Sequence, residues 1–205
     1  MKIYKTLGKN GKSFIEEKKS KFYGNCASVK SREEAVEFIS LIKSEHRMAT
    51  HNVTAYSIKL DNLVHSSDDG EPQGTAGAPV LDVLRNAEIV DAVIVVTRYF
   101  GGKLLGKGGL VRAYSKCASL AVEDAGISVF VPCIKSELLI DYPILDITMN
   151  YFKLNDIRVD EQIFAENVRV VFTSEKEKYD EIRLALMEIT RGREPEIIEE
   201  TYESF

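Results

Sequence analysis

Residues 92–116 read AVIVVTRYFGGKLLGKGGLVRAYSK. A β-branched apolar run, Ala92 to Val96, leads into five glycines within nine positions: Gly101, Gly102, Gly106, Gly108 and Gly109. A helix-like segment follows and stops at Gly126. The pattern predicts a buried strand over 90–96, a glycine loop, and a helix over 109–125 with Gly126 as its C-terminal cap. Five cations lie in the stretch, Arg98, Lys103, Lys107, Arg112 and Lys116, and no Asp or Glu occurs between Asp91 and Glu123. Glycines let backbone N–H groups approach an anion, and a helix N-terminus adds partial positive charge. Arginine adds planar, bidentate donors that match phosphate. The residues expected to contact phosphate or nucleic acid are therefore Arg98, Gly101, Gly102, Lys103, Gly106, Lys107, Gly108, Gly109, Arg112, Tyr114 and Lys116. Tyr99, Phe100 and Tyr114 set aromatics among the cations, as single-stranded RNA binders do for stacking. Aromatics there can equally be core, and a glycine-rich turn can simply let strand and helix pack closely.

Two nucleotide motifs are nearly spelled and neither is completed. Gly101-x4-Gly106-Lys107 has the shape of a phosphate-binding P-loop, but Gly108 stands where a Ser or Thr must hold Mg²⁺. Gly106-x-Gly108 fails the dinucleotide fingerprint because Val111 occupies the third glycine position. NTPase chemistry is not expected.

Upstream, residues 13–17 and 22–29 read as strands joined by the charged turn KKSK. Ser31 opens a helix with Glu34 completing a capping box, and Ala35, Phe38, Ile39 and Ile42 form its apolar stripe. Residues 53–60 alternate, with Tyr56, Ile58 and Leu60 on one face, as a strand does. A long polar loop is expected over 61–77, then a short helix with Pro79 in its first turn. Within the loop, Asp68, Asp69 and Glu71 can hold a hard cation or pair with Arg98 or Arg112, and the second is favoured because the spacing fits no calcium loop. Thr75, with Gly74 and Gly77, can add N–H groups to an anion nest. His51 can form an acid–base pair with Asp68 or Glu71, or serve as a hydrogen-bonded structural residue. No Ser or Cys sits in a nucleophile motif, and no catalytic residue, metal or cofactor is expected.

Downstream, residues 127–131 read as a strand, and a second unit follows. Its order is strand 134–140, helix 143–155, strands 157–164 and 168–173, helix 177–191 and strand 196–202. βαββαβ in this length is the ferredoxin-like split-βαβ pattern. The fold class is α+β, with domains expected at 1–133 and 134–205.

The 205 residues are 44% hydrophobic and 29% charged, an ordinary balance for a chain with a real core. Charge is uneven. Residues 1–133 carry 18 Lys/Arg against 15 Asp/Glu, and residues 134–205 carry 9 against 17. Polyanion contact is thus expected of the first half, and the acidic second half offers a surface for a protein partner or simply for water. Cys26, Cys117 and Cys133 form no CxxC pair, so reduced, buried thiols in a cytoplasm are expected. The N-terminus has no apolar core of a signal peptide, and no apolar run nears the roughly 18 residues of a membrane helix.

ATHN (49–52), SSDDGEPQGTAGAPVLDVL (66–84) and VVTRYFGGKLLGKGGLVRAYS (95–115) together resemble the IMPACT family in its bacterial YigZ-type form. The likeness is dense over the first domain and rests on general pattern in the second. Three departures stand out. Lys103 comes one place early with Leu104 where Lys is usual, Lys107 replaces a common Thr, and Val53 replaces a common Cys. The resemblance implies a first domain similar to the second domain of ribosomal protein S-five and of elongation factor G. It implies a ferredoxin-like second domain similar to the C-terminal domains of that factor. Eukaryotic members of the family regulate translation initiation by competing for the activator of a stress kinase, and because they carry an extra N-terminal interaction domain not expected here, the resemblance does not carry that partner over. The expected function is non-catalytic RNA or ribosome binding in translation control. The alternative is an enzyme or sensor for a small phosphorylated ligand, with His51 as the acid–base group.

Overall fold

The computed structural model describes residues 2–60 and 62–204. Two compact units are present, Tyr4–Val129 and the chain from Phe130 onward.

The first unit runs β1 (Tyr4–Leu7), β2 (Gly11–Glu17), β3 (Ser20–Ser28), α1 (Arg32–Glu45), β4 (His51–Ile58), β5 (Leu63–Ser67), α2 (Gly77–Asn86), β6 (Ala92–Tyr99) and α3 (Lys107–Ala125). Its sheet has the order β2-β3-β6-β4-β5, and every neighbouring pair is antiparallel. The apolar run is the central strand β6, paired with β3 on one side and β4 on the other. Period-two alternation sends its side chains to two cores. Ile94 and Val96 join Phe22, Val53, Leu84 and Tyr114 on the side covered by α2 and α3. Val93 joins Ala27, Ala35, Tyr56 and Ile58 on the side of α1. Ser31 caps α1 as expected, its Oγ accepting from the Glu34 N–H at 3.2 Å. The Glu34 carboxylate reaches back to the N–H of Lys30 rather than of Ser31.

Three expectations change. Residues 63–67 are not loop but the edge strand β5, hydrogen-bonded to β4, and Asp61, where the loop was expected to start, lies outside the described residues. The central strand begins at Ala92 because Asp91 takes a left-handed turn, φ 53°, that separates it from Val90. Leu60 lies beyond β4 and is exposed.

In the second unit β7 (Ile127–Ile140), which starts in the first unit, is followed by α4 (Tyr142–Leu154), β8 (Arg158–Phe164), β9 (Val168–Glu175), a 3₁₀ turn, α5 (Tyr179–Ile189) and β10 (Glu196–Glu203). The strand order β10-β7-β9-β8, all antiparallel, is the ferredoxin-like arrangement. Leu138, Phe152, Val170, Phe172, Ile182 and Leu186 form its core. The two strands expected at 127–131 and 134–140 are one. Pro132 sits within β7 but one residue outside its ladder with β9, which starts at Cys133, so its missing N–H costs that ladder nothing.

Among the described residues no helix is long and apolar enough to cross a membrane, and no group of His, Cys, Asp and Glu is placed to hold a metal. All three cysteines are buried free thiols.

Candidate functional site

The glycine segment turns the chain from β6 into α3. Gly101 passes so close to the β2–β3 turn that a Cβ would lie 2.0 Å from the Lys19 carbonyl carbon, which is why no larger residue fits there. Gly106 holds the N-cap of α3 at φ 75°, a left-handed conformation that disfavours other residues. No side chain caps this helix, so the first N–H groups of its 19 residues keep their donors and partial positive charge.

Arg98 does not face solvent. It stands on β6 with the same parity as Ile94 and Val96, and it points toward the α3 side of the sheet. Its guanidinium is 95% buried and donates to Glu71 Oε1 at 2.5 Å and to Ser20 Oγ at 3.3 Å. Tyr114 is fully buried, edge-on to Phe22, and donates to the same Glu71 oxygen at 2.7 Å. Burial, and then the hydrogen bond to Glu71, push the Tyr114 hydroxyl far above its ordinary range, so it stays a donor. The expectation that Arg98 contacts external phosphate and that Tyr114 stacks on a base is therefore corrected. Both are spent on Glu71, which ties the acidic loop to the glycine segment. Of the two pairings expected for that loop, the one with Arg98 forms. Arg112 takes part in no ion pair among the described residues.

The rest of the loop is organised by its own carboxylates. Asp68 accepts from the N–H groups of Gly74 (2.8 Å), Ala76 (3.0 Å) and Gly77 (2.8 Å). The nest is real, but the anion in it is Asp68 itself, at the start of α2. Burial alone would raise the Asp68 carboxyl. The three backbone donors outweigh that and hold it below its usual value. Thr75, buried, donates its hydroxyl to the Pro72 carbonyl and offers no anion contact. Asp69 accepts from the Asn52 N–H and from Lys43. These contacts leave no acidic cluster for a cation.

His51 opens β4 directly opposite Arg98. Its Nδ1 lies 2.8 Å from the Asp69 carbonyl oxygen, which can only accept, so Nδ1 carries a proton. The other ring nitrogen, Nε2, lies 3.8 Å from Glu71 Oε1. His51, Glu71 and Arg98 line a cavity of about 430 Å³, together with Phe100, Leu105 and Lys107. The two motifs thus meet in one pocket.

The remaining cations divide. Lys103, Lys107, Arg112 and Lys116 are all exposed, and none forms an ion pair among the described residues. Lys107 belongs to the His51 pocket, whereas Arg112 and Lys116 border a separate groove shared with Glu16, Glu17 and Lys18. Gly101 is spent on packing, and the exposed Gly102 and Gly108 leave open backbone. Gly109 sits against Leu105. Sequence reading missed Ser20, which binds both Arg98 and the Gly101 N–H, and Leu104, which stands exposed beside the pocket. Neither carries a local signal. Tyr99 turns to the opposite face and bonds His46.

The family model described as the Impact N-terminal domain matches residues 18–122. The chain is 36% identical over 197 residues to the IMPACT family member YvyE of Bacillus subtilis (strain 168), covering 93% of this chain and 88% of that protein. It is 41% identical over 104 residues to the IMPACT family member YigZ of Escherichia coli (strain K12), covering 49% and 51%. A solved structure described as the crystal structure of an hypothetical protein superposes with a TM-score of 0.62 at 28% identity, covering 97% and 98% of the two chains.

Proposed function

The chain belongs to the IMPACT family, and we propose on that footing that it binds RNA or the ribosome and acts in the regulation of translation, without itself catalysing a reaction. The observation that carries this reading is the uncapped N-terminus of α3, with exposed Lys103 just before it, exposed Lys107 in its first turn, and exposed Arg112 and Lys116 further along the helix beside a separate groove. Four cations that form no ion pair among the described residues, two of them beside open backbone donors, are suited to a polyanion. The family resemblance to translation-factor domains supports the choice of RNA over other polyanions. The second unit carries the acidic excess of the chain, and that charge is what would attract a basic protein partner, although Glu199 and Glu200 of β10 are already paired with Lys135 and Lys176.

The test is co-sedimentation with ribosomes over a salt series, comparing the native chain with Lys103→Ala/Arg112→Ala/Lys116→Ala. Each lost phosphate contact lowers the log–log salt slope by about 0.7–0.9, so the triple variant should lose about 2–3. An unchanged slope with circular dichroism intact sinks the reading. Arg98 is unsuitable for this test, because its removal breaks the buried pair rather than a surface contact.

A further inference from the structure

The His51 pocket is more than a patch of positive surface. Its floor is the Glu71–Arg98 pair, with both side chains at least 95% buried. Arg98 Nε, also buried, has no hydrogen-bond partner among the described residues. Native structures rarely leave a buried N–H donor unsatisfied without a reason, and the residue that carries this one lines the pocket. The His51 ring is fixed by its Nδ1 bond to Asp69, and Nε2 is the nitrogen left for a ligand. At the rim, Phe100 is 47% exposed and Leu104 85% exposed, an apolar shelf beside a charged recess.

Charge selects the ligand. Arg98 is matched by Glu71, so neither contributes net charge. The α3 N-terminus adds roughly half an elementary charge and Lys107 adds one, together about one and a half. A phosphodiester carries one negative charge. A terminal phosphomonoester carries about 1.5 to 2 near pH 7 and is the better match.

We propose that this pocket holds a phosphomonoester borne on a nucleoside, either a free nucleoside monophosphate or the phosphorylated end of an RNA strand. Its phosphate lies at the α3 N-terminus beside Lys107 and His51, and its base rests on Phe100. For the RNA source, the inference rests on the reading above and turns it from general backbone binding to recognition of an end.

The experiment is a fluorescence polarisation titration of the full chain with a labelled six-nucleotide RNA bearing a 5′-phosphate, a 3′-phosphate, or hydroxyls at both ends. Adenosine monophosphate serves as competitor. Lys107→Ala and Phe100→Ala are run beside the Lys103→Ala/Arg112→Ala/Lys116→Ala variant. The expected result is at least tenfold tighter binding of one terminally phosphorylated RNA, competition by the mononucleotide, and loss of the preference in Lys107→Ala but not in the triple variant. Equal affinity for all three RNAs overturns the pocket proposal and leaves general RNA binding standing. Binding of a fluorescently labelled adenosine monophosphate, titrated in the same way, without any RNA binding supports the pocket and overturns the RNA reading. No binding of any probe overturns both.

Discussion

Glu71→Gln is the most revealing single change. It keeps the shape of the side chain and removes the charge that Arg98 and Tyr114 share. Arg98 is 95% and Glu71 97% buried, so solvent cannot replace the lost carboxylate. Breaking a buried ion pair from one side costs about 3–5 kcal/mol, because an uncompensated charge is left inside. The Tyr114 hydroxyl also exchanges an ionised acceptor for a neutral one, a further loss of about 1 kcal/mol. Arg98→Met is expected to cost a similar amount by stranding Glu71. The double variant Glu71→Gln/Arg98→Met leaves no buried charge and should cost much less than the two single losses together, giving a coupling of about 2–3 kcal/mol. The assay is urea unfolding. The chain has nine tyrosines and no tryptophan, so far-ultraviolet circular dichroism and tyrosine fluorescence are the probes. With a urea slope of about 1.5–2 kcal/mol per molar, the Glu71→Gln midpoint should fall by about 2–4 M in the transition of the first unit. A shift under about 0.5 M, or a double variant no more stable than the sum of the singles predicts, would refute the claim that this buried pair joins the two motifs.

Two further outcomes follow from the surroundings of single groups. Asp68 is held below its ordinary pKa in the folded chain, so its stabilisation is complete above the unfolded value near 3.9 and is lost as pH falls through the folded value. Asp68→Asn should therefore cost about 1–2 kcal/mol at pH 7 and flatten the acid limb of a stability-against-pH curve below about pH 4, read by thermal melts across pH 2–7. Burial pushes the Cys26 and Cys117 thiols up to about 11, and also raises Cys133, so a disulfide reagent at pH 8 should label none of the three in the native protein and all three in urea.

Much of the architecture was legible because it is local. The glycine segment lies between a β-branched run and a helical stripe, and the strand–loop–helix reading needs nothing else. The βαββαβ order of the second unit came from alternating periods of the same kind. What failed locally failed for identifiable reasons. Leu63–Ser67 is an edge strand with mostly polar or exposed residues, so its composition imitates a loop. Pro132 imitates a boundary, although it lies within β7, one residue before the ladder with β9 and opposite Tyr202 of β10.

The site was legible in its parts and not in its assignments. Arg98 was read by its charge, but its position answers a different question. It continues the parity of Ile94 and Val96, both fully buried, which sets it toward the core under α2 and α3, and the strand is buried on its other face as well. Tyr114 likewise lies on the stripe of Leu110, Cys117, Ala118 and Ala121, which is core. Each signal was present in the period and was overruled by chemistry that belongs to surface arginines and tyrosines. The sequence could not supply the reason a guanidinium and a phenol are tolerable there. That reason is Glu71, 27 residues from Arg98 and 43 from Tyr114, delivered by a loop whose shape is held by Asp68. Once that carboxylate is in place, the two buried donors cease to be candidates for an external phosphate. The exposed lysines and the open end of α3 are then what is left to meet one.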